Sequence, residues 1–235
     1  MERLVLVHGS VSNGPRTWRA QAPLAASFEL VVLNRRGFPP GPDVDRVDFD
    51  EEADWVADRL LPGDHLAGHS YGGVIALLAA ARCPELSSLT VVEPPCLDVA
   101  RGHPAVEEFV RRATAHRLAA PHEPEPYLRG FLRAVGSPLD PPSPLPPELE
   151  QGARTLLVER SPWEARIPLA ELGALPFPKL VVSGGHNEAF DAVCDVLEER
   201  LGAERAVCTG AGHSAQAAAG FNDVLAAFLA RARAK

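Results

Sequence analysis

The chain alternates short, fully apolar runs with stretches in which apolar residues recur every three or four positions. Arg3–Val7 (RLVLV) and Phe28–Leu33 (FELVVL) are continuous apolar segments with β-branched content, the pattern of strands covered on both faces. Asp64–Gly68, Leu89–Val92, Leu180–Ser183 and Arg205–Thr209 read as further strands. Helical periods lie between them. Thr17–Ser27 has room for a short helix. Val47–Leu61 sets Ala53, Val56, Ala57, Leu60 and Leu61 behind Asp48, Asp50, Glu51 and Glu52, and acids suit a helix N-terminus. Those acids are expected to form a solvated helix start, not a metal site. Helix Tyr71–Ala81 stops at Cys83-Pro84. Helix Ala189–Leu201 carries Phe190, Val193, Cys194, Leu197 and Leu201 on one face. The last helix repeats Phe221, Val224, Leu225, Phe228 and Leu229. Six strands separated by helices predict a parallel, three-layer α/β sheet.

One stretch breaks the rhythm. Residues 94–178 hold 16 of the 23 prolines and no convincing strand. Pro94, Pro95 and PPSPLPP (141–147) cannot sit in a central strand. Helical patches survive at His103–Leu118, Pro126–Val135 and Glu148–Glu159. The expected organisation is a core of residues 1–95 and 178–235, with a mostly helical lid insertion at 96–177.

Composition narrows the partners. At 235 residues the chain suits one domain with an insertion, and a net charge of −8 counts against nucleic-acid and anionic-membrane surfaces. No apolar run approaches the ~20 residues of a membrane span. Strand-like sequence already starts at Arg3, so no basic-then-apolar leader is expected. Cys83, Cys96, Cys194 and Cys208 lack CxxC or metal-type spacing, as expected for reduced thiols in the cytoplasm. No cofactor is expected, since the glycine-rich turn at 68–73 lacks the lysine of a P-loop. No metal is expected either, because no two histidines share helical spacing beside an acid. A small molecule is the expected ligand, and a second copy of the chain is the macromolecular partner left open.

The most specific chemical signal is Gly68-His69-Ser70-Tyr71-Gly72, followed by Gly73, between a strand and an apolar helix. An abrupt strand-to-helix turn strains the central residue and lifts its hydroxyl above a helix N-terminus, where unpaired N–H groups favour a developing oxyanion. Here the sequence resembles the α/β-hydrolase superfamily, and the resemblance runs from Leu4 to the last helix. It implies a sheet beginning at the strand that carries the oxyanion loop, without the first two strands of larger members. The implied strand order is second, first, third, fourth, fifth, sixth.

The resemblance also assigns roles. Ser70 would be the nucleophile. His213, in Gly210-Ala211-Gly212-His213 after the last strand, would be the base that a serine hydroxyl needs at neutral pH. His8-Gly9-Ser10 occupies the place of the oxyanion loop, so the backbone N–H groups of Ser10 and Tyr71 would hold the oxyanion. Relatives place an aspartate after the strand Leu180–Ser183, where this chain has Asn187. Glu93, at the end of the preceding strand, is the first candidate for the acid. Glu188, Asp191, Asn187 itself and the absence of any acid stay open. His69 and Trp18 are expected to pack, His186 to face solvent, and Arg35 and Arg36 to fix their loop against the acidic helix start. Phe109, Phe131, Leu132, Leu145 and Trp163 either face substrate or form the lid's own core. The implied activity is cleavage of a small or medium ester, thioester or lactone by a Ser-His-acid triad. C–C bond hydrolysis, peracid formation and a non-catalytic ligand-binding relative are the alternatives.

Overall fold

The computed structural model describes residues 1–119 and 123–232. Six strands form one sheet: β1 (Arg3–Val7), β2 (Glu29–Leu33), β3 (His65–His69), β4 (Ser88–Val92), β5 (Lys179–Ser183) and β6 (Glu204–Val207). Their order is β2-β1-β3-β4-β5-β6, and every pairing is parallel. The helices are α1 (Gly14–Thr17), α2 (Phe49–Ala57), α3 (Tyr71–Ala80), α4 (Pro104–Ala119), α5 (Pro124–Ala134), α6 (Pro147–Val158), α7 (Leu169–Ala174), α8 (Glu188–Leu201) and α9 (Phe221–Ala232). This is the α/β-hydrolase architecture, with the strand order expected.

Alternation along each strand divides the core into two layers. Val5 and Val7 of β1, Leu66 of β3 and Val181 of β5 face α2, α3 and α8. Leu4, Leu6, Ala67, Leu180 and Val182 face α9 and Trp18 on the other side. Helix α3 is buried along its whole length, which explains why its sequence is apolar all round. Between β4 and β5 the described residues form helices and no named strand. There α5 and α6 close a third, smaller core with Leu128, Leu132, Leu145 and Leu149.

Several local expectations change. Thr17–Ser27 is a 3₁₀ helix over Arg19–Ala26 following α1, with Pro23 inside it; proline has no N–H for an α-helical bond. Strand β2 is only half-buried, because it ends the sheet and one of its edges meets no further strand. The acids at the start of α2 are not all solvated. Asp48 caps the helix by accepting the Asp50 N–H at 2.9 Å, whereas Glu52 is buried against Arg35. Among the described residues no helix is long and apolar enough to cross a membrane. All four cysteines are free.

A short backbone pairing joins two distant segments. The N–H of Val47 donates to the Val158 carbonyl at 3.1 Å and that of Arg160 to the Val47 carbonyl at 2.8 Å. The residue between them, Glu159, is thereby carried down to the carboxyl ends of the strands.

Candidate active site

The turn from β3 to α3 is as tight as its sequence implies. Ser70 adopts φ 54° and ψ −126°, a conformation that side chains rarely accept, and its N–H is anchored on the Val92 carbonyl at 2.8 Å. A Cβ on Gly68 would lie 2.3 Å from the Gly72 carbonyl oxygen, and one on Gly72 would lie 2.4 Å from the oxygens of Val7 and His8. Both glycines are therefore required for backbone to pass backbone.

Three side chains from three strand ends meet above this turn. His213 Nε2 lies 2.8 Å from Ser70 Oγ, and His213 Nδ1 lies 3.0 Å from Glu93 Oε2. Glu93 Oε1 accepts the Gly184 N–H at 2.5 Å. An ionised carboxylate only accepts, so Nδ1 carries the proton and Nε2 turns its lone pair toward the serine hydroxyl. Glu93 closes β4 with φ 51°, another strained position, and is fully buried. Burial raises its carboxyl above the ordinary range, opposed by the Gly184 N–H and by His186. Burial also holds the His213 imidazole below its ordinary range, and His186 adds to this. A neutral His213 is a base ready to accept a proton.

The other acid candidates are engaged elsewhere. Asn187 caps α8 through the Ala189 N–H at 3.0 Å. Asp191 accepts from Ser183 Oγ at 2.5 Å and from Arg205 at 3.3 Å, and Glu188 is exposed. His69 is packed as expected; its Nε2 donates to the His213 carbonyl at 2.9 Å and steadies that loop. Trp18 packs in the core on the far face of the sheet. His186 is an exposed residue, as expected, but its ring is packed and hydrogen-bonded. Its side chain is only 18% exposed, Nε2 donates to the Val135 carbonyl at 3.0 Å, and Nδ1 lies 3.8 Å from Glu93 Oε2.

The loop after β1 is clamped from beneath. Arg35, fully buried, donates through Nη1 to the Gly9 carbonyl at 2.9 Å, and His8 Nδ1 lies 2.8 Å from the same oxygen. The Arg35 N–H donates to His8 Nε2 at 2.9 Å, so Nδ1 is the protonated nitrogen and it too is a donor. In a trans peptide the C=O and the following N–H point in opposite directions. Holding the Gly9 carbonyl toward Arg35 therefore turns the Ser10 N–H to the opposite side of the peptide. Among the described residues, neither the Ser10 nor the Tyr71 N–H has an acceptor. The Arg35 guanidinium also pairs with Glu52 at 2.7 Å and Glu159 at 2.9 Å, and lies 4.6 Å from the Tyr71 ring centroid. Glu159 Oε2 in turn accepts from Ser10 Oγ at 2.5 Å. Arg35 thus holds its loop against α2 as expected, whereas Arg36 is exposed. Glu159 is a site residue that no sequence signal marks, because it arrives through the pairing with Val47.

The sequence profile described as the alpha/beta hydrolase family matches residues 4–227. The chain belongs to this family. Among curated proteins it is similar to the pimeloyl-[acyl-carrier protein] methyl ester esterase of Aliivibrio fischeri, with 26% identity over 137 residues, covering 57% of this chain and 53% of that protein. The match thus spans about half the length of that relative. Among solved structures it resembles NosK from Streptomyces actuosus, with a TM-score of 0.64 and 21% identity over 99% of both chains. A thermophilic esterase from Thermogutta terrifontis gives a TM-score of 0.66 and 20% identity, covering 99% of this chain and 90% of the other. An alpha/beta hydrolase from Sphaerobacter thermophilus gives 0.67 and 24%, covering 97% and 92%. These likenesses describe the fold.

In this member of the family two cavities flank Ser70, and Ser10, Phe131, Val135 and His213 border both. One, of about 60 Å³, is mostly apolar and walled by Phe109, Tyr127, Trp163 and Phe190. The other, of about 200 Å³, is also mostly apolar, through Val11, Leu132 and Leu139, but adds the polar side chains of Ser12, Arg16, Thr17, Ser137 and Gln216. Phe109, Phe131 and Trp163 therefore face the site, whereas Leu145 packs inside the α5–α6 core and Leu132 both packs there and borders the larger cavity.

Proposed function

We propose that the protein is a serine hydrolase that cleaves small or medium carboxylic esters, thioesters or lactones through an acyl-enzyme. The observation that carries this reading is the chain of contacts from Ser70 Oγ to His213 Nε2 at 2.8 Å and from His213 Nδ1 to Glu93 at 3.0 Å. Ser70 attacks the substrate carbonyl while His213 takes its proton, and Glu93 stabilises the resulting imidazolium. The N–H groups of Ser10 and Tyr71 receive the negative oxygen of the tetrahedral intermediate, each donor being worth about 10²–10³ in rate. His213 then returns its proton to the leaving alkoxide or thiolate. Water, deprotonated by the same imidazole, clears the acyl group.

The segment 96–177 acts as a lid, presenting Phe109, Phe131 and Trp163 to the apolar part of the substrate. The cavity pair supports a substrate that extends to both sides of Ser70, apolar surface predominating on each, with Ser12, Arg16 and Ser137 offering polar contacts on the larger side. Against a non-catalytic binding role speaks Glu93, a carboxylate 3.0 Å from His213 Nδ1 although position 187 holds asparagine. The esterase names of two relatives agree with ester chemistry. A fluorophosphonate probe should label the protein, Ser70→Ala should abolish labelling, and short-chain aryl esters should be hydrolysed only by the unmodified chain. Absence of both labelling and hydrolysis refutes the proposal.

A further inference from the structure

The loops after β4, β5 and β6 bring Glu93, His186 and His213 to one point. Each offers one ligand atom, and these atoms all lie within 4.8 Å of one another. Glu93 Oε2 is 3.0 Å from His213 Nδ1 and 3.8 Å from His186 Nδ1. His186 is oriented by its other nitrogen. The Val135 carbonyl, 3.0 Å from Nε2, can only accept, so Nε2 carries the proton. In the neutral ring Nδ1 then turns a lone pair toward a carboxylate oxygen, two acceptors facing each other with no hydrogen between them.

We propose that these three side chains form a binding site for a divalent transition-metal ion, Zn²⁺ above all, and that the ion inhibits the hydrolase. Two imidazoles and one carboxylate, with a fourth position left for water, are a donor set that Zn²⁺ accepts at about 2.0–2.2 Å. Tetrahedral geometry at such lengths spaces ligand atoms about 3.4 Å apart; the carboxylate lies 3.0 and 3.8 Å from the two nitrogens, and with all three atoms within 4.8 Å a small turn of the His186 ring would bring the set to that spacing. Two nitrogen ligands disfavour Ca²⁺ and Mg²⁺, which take oxygen. Each ligand already has an outer partner to fix its orientation: Gly184 N–H for Glu93, Val135 carbonyl for His186 and Ser70 Oγ for His213. The partly exposed His186 ring gives the ion its way in, since Glu93 and His213 are buried.

The consequence for chemistry comes from where one proton sits. When the metal–nitrogen bond forms at His213 Nδ1, the proton of the neutral imidazole relocates to Nε2, with no net loss from the ring. Nε2–H then donates to Ser70 Oγ, and no lone pair is left to receive the serine proton. Only this consequence rests on the function proposed above; binding of the ion does not.

Co²⁺ is the probe, because four-coordinate Co²⁺ absorbs visibly. The unmodified chain and Ser70→Ala should both develop these bands at one ion per chain, and Zn²⁺ should displace them. His186→Ala, and His186→Gln, which keeps an N–H for the Val135 carbonyl, should lose the bands and bind Zn²⁺ at least about 100-fold more weakly. Ester hydrolysis by the unmodified chain should be inhibited by Zn²⁺ and restored by a chelator, whereas residual hydrolysis by the His186 variants should be insensitive. No bands in the unmodified chain, or equal bands in both variants, overturns the site. Bands that depend on His186 in a protein that fluorophosphonate does not label would uphold the site and defeat the hydrolase reading.

Discussion

Replacing Glu93 by glutamine changes one oxygen to an NH₂ group, and the structure makes that change unusually damaging. Both neighbours of the carboxylate are donors: the Gly184 backbone N–H on Oε1 at 2.5 Å and His213 Nδ1–H on Oε2 at 3.0 Å. An amide has a single acceptor, so its NH₂ must face one of them. The Gly184 N–H cannot be altered, and leaving it opposed and buried costs about 1–3 kcal/mol. The imidazole can respond by moving its proton. With the NH₂ toward His213, Nδ1 becomes the acceptor and the proton sits on Nε2, aimed at Ser70. The base is then in the wrong tautomer. Loss of an acid in this way costs about 10⁴ in turnover, equivalent to about 5.5 kcal/mol of barrier. Turnover of a short-chain aryl ester by Glu93→Gln should therefore fall by about four orders of magnitude, with fluorophosphonate labelling slowed in parallel and the fold retained. Glu188→Gln, at an exposed position, should change turnover by less than about twofold. If Glu93→Gln stays within tenfold of the unmodified protein, or Glu188→Gln falls as far, the assignment of Glu93 is wrong.

Three further outcomes are expected. Arg35→Met should release the Gly9 carbonyl and strand the buried Glu52 and Glu159 carboxylates, lowering stability by about 3–5 kcal/mol and kcat/KM by about 10²–10³; urea unfolding and ester kinetics read the two effects, and unchanged kcat/KM would dismiss the clamp. Gly152→Ala places a Cβ 1.9 Å from the Val11 carbonyl oxygen, beside Ser10, whose N–H we propose as an oxyanion donor. It should cost about 1–3 kcal/mol, seen as a lower urea midpoint, together with reduced turnover. Finally, His8 and His69 are buried and held below their ordinary pKa, His69 at about 3. Because unfolding lets each take up a proton, the stability they contribute is complete above about pH 6.5 and is lost as pH falls, at up to about 1.4 kcal/mol per pH unit for each. A urea midpoint that stays flat from pH 7 to pH 5 would contradict this.

What the sequence determines by itself is what depends on near neighbours along the chain. Apolar runs and helical periods predict all six strands and the longer helices, because burial imposes a period on each element separately, whereas the short α1 and α7 carry too few turns to show a period. Gly68-His69-Ser70-Tyr71-Gly72 announces a strained turn for the same reason: two glycines and a serine within five positions have one way to let backbone cross backbone. Even so, periodicity cannot say which strands end the sheet, so β2 reads as fully covered although it lies at an edge.

The tertiary structure decides what meets across distance. Sheet order sets β4 beside β5 and β5 beside β6, and so brings Glu93 to His213 while Asn187 and Asp191 turn to helix capping and to Arg205. The same convergence brings His186 beside Glu93, although these residues share no spacing in the chain. A single short pairing at Val47 delivers Glu159 to Ser10, and Arg35 becomes the centre of a buried cluster only because Glu52 and Glu159 surround it. Periodic burial is a property of one segment, but a contact between loops more than 100 residues apart depends on how every intervening element packs.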